Sequence, residues 1–110
     1  GAGGYIGSVA THLLLSKGYE IVALDNFTTG YRGPLQILQE KYGKEKIRFY
    51  EVDLASDLSP ILSQEKEIEV VLHYAASCSV NESMQNPGKY FSNNTASTHN
   101  FIRQIVEHGI

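Results

Sequence analysis

Three glycines and one aspartate carry the most chemistry in this chain. Gly1, Gly4 and Gly7 stand three residues apart, directly ahead of a segment with helical apolar spacing, and Asp25 follows Gly7 by 18 residues. Glycines at such a turn let the backbone bend tightly and come close to a pyrophosphate, and the last of them lets a helix pack against a sheet. The helix N-terminus then offers unpaired N–H groups and the positive end of its dipole to the phosphates. A carboxylate at the end of the next strand accepts hydrogen bonds from a ribose diol and repels a 2′-phosphate. The pattern therefore points to dinucleotide binding, with NAD favoured over NADP. The more familiar G-x-G-x-x-G does not fit, because Ile6 stands where its last glycine would be.

Other chemistries find less support. One Tyr-x-x-x-Lys occurs, at Tyr42 and Lys46, but Gly43 ends a helix between them, so the two side chains would not share a helical face. They would also sit at the N-terminal edge of the strands, whereas ligands bind beyond the carboxyl ends. No catalytic residue is assigned within the chain. His12, His73, His99 and His108 are scattered and have no clustered cysteine partners, so no metal site is expected. His73 reads as a hydrogen-bonded core residue, and the run Glu65 to Glu69 as a solvated face. Cys78 has no obvious base beside it, which makes it structural or cofactor-lining rather than a nucleophile.

Composition narrows the classes further. The chain has 110 residues, 42% hydrophobic and 19% charged, with a formal net charge of −3. A nucleic-acid module would carry a basic surface, and no run approaches the roughly 20 apolar residues of a membrane span. Nucleic acid and membrane are thus excluded as expected partners. The single cysteine forbids an internal disulfide, and no basic-then-apolar leader is visible, so a reducing, cytoplasmic setting is expected.

The elements that must position these residues alternate between helical and strand periods. A helix is predicted from Tyr5 to Lys17, with Ile6, Val9, Ala10, Leu13 and Leu14 at helical spacing and Gly18 beyond its end. A buried strand over Ile21–Leu24 runs into Asp25. After a Thr28–Gly33 loop, Pro34 opens a helix carrying Leu35, Ile37, Leu38 and Tyr42 and stopped by Gly43. A second strand covers Ile47–Val52, ending at Asp53, and Ser59-Pro60 form the N-cap and N1 pair of a short helix. A third strand begins at Val70, Val71 and Leu72 and runs into His73 and Tyr74. A polar loop follows, and Pro87 introduces a long helix with Phe91, Asn94, Thr98, Phe101, Ile102, Ile105 and Val106 on one broad face and Gly109 at its end. The order is that of an α/β fold, a partial Rossmann-like doubly wound parallel sheet.

These blocks resemble the extended short-chain dehydrogenase/reductase family and, within it, the UDP-glucose 4-epimerases. The carriers are Gly1-Ala2-Gly3-Gly4-Tyr5-Ile6-Gly7-Ser8, Asp25-Asn26, Asp53-Leu54, His73-Tyr74-Ala75-Ala76, and Ser79-Val80-Asn81-Glu82-Ser83 followed by Pro87, Tyr90, Phe91, Asn93 and Asn94. The resemblance implies NAD as cofactor and inversion of a UDP-hexose at C4 through a 4-keto intermediate. It implies Gly1, Gly4, Tyr5, Ile6 and Gly7 at the pyrophosphate, Asp25 and Asn26 at the ribose, and Phe27, Thr28, Thr29 and Gly30 along the adenosine. Asp53 and Leu54 would hold the adenine, and Tyr74, Ala75, Ala76 and Asn93 would line the way to the nicotinamide. Cys78 would stand where some members carry a lysine. It also implies a homodimer through the helix after Pro87, with Phe91, Thr98, Phe101 and Ile105 as contacts. A sugar-nucleotide 4,6-dehydratase and a non-catalytic NAD-sensing module are the alternatives.

By the same comparison, residues 1–110 are expected to be part of an NAD-binding domain. The strand leading into Gly1 and everything after the fourth helix, including the family's catalytic Tyr-x-x-x-Lys, would lie outside. In the usual order 3-2-1-4-5-6 that strand falls between the second and the fourth. Such a piece is expected to bind NAD poorly, to catalyse nothing and not to fold alone.

Overall fold

A computed structural model describes residues 1–110. The chain folds as two units, residues 1–52 with 73–75, and residues 53–72 with 76–110.

The first unit is built on two parallel strands, β1 (Ile21–Asp25) and β2 (Ile47–Glu51), paired in the register Ile21↔Ile47 to Asp25↔Glu51. Parallel neighbours need a crossover, and helix α2 (Arg32–Tyr42) supplies it. Pro34 lies in its first turn and Gly43 ends it at a φ of 95°, a conformation open to glycine without strain. Helix α1 (Tyr5–Ser16) ends through Gly18, whose φ is 89°. Leu15, Ala23, Leu35, Leu38 and Ile47 form the core, and Ile21, Phe27, Tyr42 and Phe49 pack around it.

The period of α1 is as expected, but its buried face differs. Gly7, Thr11 and Leu15 are buried, whereas Ile6, Val9 and Leu13 are exposed. Thr11 tolerates burial because its hydroxyl donates to the Gly7 carbonyl at 2.8 Å. Gly1 lies between the end of β1 and residues 74–75. Its amino group donates to the Leu24 carbonyl at 2.8 Å, and a Cβ on it would stand 2.4 Å from the Ala75 nitrogen.

The third strand is not formed. Residues 68–79 carry no ladder, and the sheet has two strands. A strand exists through its neighbour, and Val70, Val71 and Leu72 have none to pair with. His73 is correspondingly exposed rather than a core residue.

In the second unit, α3 (Ser59–Gln64) starts one residue earlier than its Ser-Pro pair suggested. Leu58 is the N-cap, Ser59 and Pro60 occupy the first two helical positions, and Asp57 Oδ1 accepts the Ser59 N–H at 2.9 Å. Glu65, expected on a solvated face, is buried where α3 ends. The polar loop contains a helix, α4 (Val80–Gln85). The long helix is three consecutive segments: α5 (Pro87–Tyr90), a π-helical stretch (Phe91–Ala96) and α6 (Ser97–Glu107). Its apolar residues divide between two faces. Phe101 is buried with Ser97 and Gln104, whereas Phe91, Ile102 and Val106 are exposed.

Amide side chains of α6 hold the turn between β2 and α3. Gln104 accepts the buried Leu58 N–H at 2.6 Å and donates to the Ser56 carbonyl at 3.0 Å, and Asn100 donates to the Leu54 carbonyl at 2.7 Å. Gln104 is 3% exposed. Truncation in Gln104→Ala orphans a buried donor and leaves a void, and is expected to cost about 3 kcal/mol. A lower urea midpoint at unchanged slope checks this; an unchanged midpoint would show that water replaces the amide.

Candidate functional site

The glycine turn feeds α1 without a side-chain cap. Gly4 is the N-cap in extended conformation, and the first helical bond runs from the Ser8 N–H to the Gly4 carbonyl at 2.9 Å. The N–H groups of Tyr5, Ile6 and Gly7 thus have no partner within the helix, and they carry the positive end of its dipole. The Tyr5 and Ile6 side chains are exposed and leave the backbone clear. The turn is tight because Gly7 touches it: a Cβ there would lie 2.0 Å from the Gly1 carbonyl oxygen.

Asp25 ends β1 and fastens the turn. Its Oδ2 accepts the Gly3 N–H at 2.8 Å and its Oδ1 the Phe27 N–H at 2.7 Å, and the residue is 7% exposed. The Gly1 amino group lies 3.4 Å from Oδ2 as well, so this one carboxylate faces three groups of the turn and loop. Gly30 stands over both oxygens, and a Cβ on it would come within 3.1 Å of each. Glycine there keeps free the space a side chain would fill. The Val52 N–H donates to the Asp25 carbonyl at 2.9 Å, joining the C-terminal ends of both strands.

The following loop is shaped by its own side chains. Asn26 Oδ1 accepts from the Thr28 N–H and hydroxyl, an Asx turn. Phe27 has a φ of 52°, the one non-glycine residue in the left-handed region, which costs about 1 kcal/mol and concentrates at functional positions. Its bond to Asp25 and its edge-on contact with Phe49 offset that cost. The Arg32 guanidinium lies 4.5 Å from the Phe27 ring centroid and pairs with Glu51. Thr28 and Thr29 are exposed, and the Tyr31 N–H donates to the Gly3 carbonyl at 2.9 Å. Tyr74 and Ala75 lie against Gly1 in this same unit.

In the second unit, Asp53 and Leu54 form the held turn. Asp53 Oδ1 accepts the Ala55 N–H at 2.8 Å, and its carbonyl accepts from Ser56. The π-helical stretch brings Asn93 and Asn94 together on Ser77. Asn94 accepts the Ser77 N–H and donates to the Ser77 carbonyl, both at 2.8 Å, while Asn93 donates to the Ser77 hydroxyl at 2.9 Å. Asn93 therefore reaches a neighbouring segment through Ser77. Ala76 and Cys78 flank Ser77 and are exposed.

A Ser79 cap, closed through Tyr90, orders the next residues. Ser79 Oγ accepts the Glu82 N–H, Glu82 accepts the Tyr90 hydroxyl at 2.8 Å and pairs with Lys89, and the Tyr90 oxygen accepts the Ser79 N–H at 3.0 Å. The Lys89 and Tyr90 donors hold the Glu82 carboxyl below its usual range. Gly3, Ser77 and Tyr90 join these contacts without a sequence signal of their own. Backbone donors such as Gly3 leave no residue-type signal, whereas Ser79-x-x-Glu82 spells a helix start whose reciprocal bond Tyr90 takes over.

The remaining candidates separate. Lys46 pairs with Glu20 at 3.2 Å just before the strand starts, and Tyr42 lies beside the His12 ring. No three His, Cys, Asp or Glu residues gather as metal ligands. Phe101, expected at a subunit contact, is core. No helix is long and apolar enough to cross a membrane.

Known proteins resemble this chain in sequence and fold. A family model described as GDP-mannose 4,6 dehydratase matches residues 1–110. The UDP-glucose 4-epimerase of Lacticaseibacillus casei is 39% identical over 112 residues, covering 100% of this chain and 31% of that protein. The UDP-Glc/GlcNAc 4-epimerase structure from Campylobacter jejuni superposes with a TM-score of 0.91 at 36% identity, over 99% of this chain and 32% of that one. The Bifidobacterium longum UDP-glucose 4-epimerase, in complex with NAD+ and UDP, gives a TM-score of 0.89 at 27% identity, over 99% and 32%. The chain thus spans about a third of the length of these relatives.

Proposed function

The chain belongs to the GDP-mannose 4,6 dehydratase family of extended short-chain dehydrogenases/reductases, and on that premise we propose that it is the NAD-binding part of an enzyme that inverts a UDP-hexose at C4. The observation that carries the reading is the Asp25 fastening. One carboxylate holds the Gly3 turn through a backbone N–H, has only a glycine, Gly30, over its two oxygens, and stands at the carboxyl end of β1. A ribose diol has the donors that such a carboxylate accepts, and the uncapped N–H groups of Tyr5, Ile6 and Gly7 suit a pyrophosphate.

In this reading Gly1 and Gly4 clear space for the pyrophosphate. Asn26 completes the ribose contact, and Phe27, Thr28, Thr29 and Gly30 flank the adenosine. Asp53 and Leu54 serve the adenine, and Tyr74, Ala75, Ala76 and Asn93 the nicotinamide side, with Cys78 next to them. When bound, NAD supplies a hydride acceptor that takes the C4 hydrogen and returns it to the opposite face by way of a 4-keto sugar. This chain contributes binding and orientation, whereas proton transfer belongs to residues outside 1–110. Solved relatives that bind UDP or UDP-glucose support a UDP-sugar substrate. A homodimer would form through the helix after Pro87, where Phe91 of the expected contacts is exposed and Phe101 is not. A cytoplasmic location accords with the lone, unpaired Cys78.

The test is to express the complete reading frame, measure the NAD released on denaturation, and follow conversion of UDP-galactose to UDP-glucose. One NAD per chain with conversion is expected. Absence of both would overturn the proposal. A 4-keto-6-deoxy product would favour the second reading, a sugar-nucleotide 4,6-dehydratase, which the description of the matching family model keeps in view.

A further inference from the structure

The function proposed above assigns no role to Glu51 or Arg32. The register pairs Asp25 with Glu51, so two acidic residues end adjacent strands, whose backbones run about 4.8 Å apart. They behave differently. Asp25 is buried and bound to backbone N–H groups, whereas Glu51 is exposed and pairs with the Arg32 guanidinium. Arg32 is also stacked over Phe27, whose N–H donates to Asp25. A cation, a ring and two carboxylates thus form one chain of contacts at the rim of the ribose position.

We propose that Glu51 is a positioning residue for cofactor choice: by occupying Arg32, it withholds from a 2′-phosphate the guanidinium stacked on Phe27, the residue bonded to Asp25. A guanidinium presents five donors in a planar fork and is the side chain best suited to phosphate. Neighbouring Asp25 repels that phosphate, and Glu51 neutralises the group that would attract it. Two acidic strand ends therefore act on the same choice, one directly and one through arginine. The inference rests on the reading of Asp25 as the ribose carboxylate.

The test uses the complete protein and compares dissociation constants for NAD and NADP. Glu51→Gln frees the guanidinium and is expected to improve NADP binding relative to NAD about fivefold, the worth of one exposed ion pair, while NAD affinity stays within about twofold. In the double variant Glu51→Gln with Arg32→Gln the gain should vanish. A general loss of stability lowers both affinities together and leaves their ratio in place. An unchanged ratio in Glu51→Gln overturns the inference, as does a gain that survives removal of Arg32, since Glu51 would then act by its own charge. A wild-type protein that holds neither cofactor overturns the underlying reading as well.

Discussion

Gly7→Ala is expected to lose about 3 kcal/mol of stability and to retain NAD at least about 100-fold more weakly. The added Cβ would lie 2.0 Å from the Gly1 carbonyl oxygen and 2.9 Å from the Ala2 Cα. Both are backbone atoms, so no side chain can swing aside, and relief requires the turn to open. Opening it removes Gly3 from Asp25 and misaligns the first N–H groups of α1. Gly33→Ala is the control. A Cβ there meets nothing within 4 Å, and the position lies in the first turn of α2. That variant should be neutral or up to about 1 kcal/mol more stable. Urea midpoints and the NAD content of the purified complete protein read both. Wild-type values for Gly7→Ala would refute the tight turn.

The second large effect is expected from Asp25→Ala. It removes the acceptors of the Gly3 and Phe27 N–H groups at once. Gly3 is buried, and its orphaned N–H together with the lost bonds is expected to cost about 3 kcal/mol. Phe27 loses the bond that offsets its positive φ, so the adenosine loop loosens as well. NAD should bind more weakly, with less discrimination against NADP, because the repelling carboxylate is gone. Asp25→Asn separates the two roles. Its amide keeps one acceptor but turns a donor toward the other N–H, so half the fastening survives without the charge. Equal NAD affinity in wild type and Asp25→Ala would remove the ribose assignment, whatever happened to stability.

Much of this was legible in the residues because the signals are local. The glycine turn, Asp25 and the ends of α2 at Pro34 and Gly43 each depend on a few adjacent positions. What was hidden depends on partners. The face of α1 follows Gly7 and a threonine that bonds its own backbone, so apolar spacing alone pointed to the wrong stripe. Helix α4 buries no residue and therefore has no apolar period to read. The π-helical stretch has a hydrogen-bond offset that residue types do not announce, yet it gathers Asn93 and Asn94 on Ser77. Val70–Leu72 have strand composition without a neighbour to make them a strand. Asp25 was found from its place in the sequence, but its grip on Gly3 was not.

The bond from Gln104 to Leu58 also bears on synthesis at the ribosome. Its two ends are 46 residues apart, whereas the β1–β2 ladder joins residues 26 apart and is complete once Glu51 has emerged. In equilibrium the longer closure adds only about 0.5 kcal/mol of chain entropy. In time it matters more. At about 5–20 residues per second, the turn at Leu58 waits roughly 2–9 s for the side chain that secures it. During that interval the nascent chain carries a paired ladder and an unsecured connection after it.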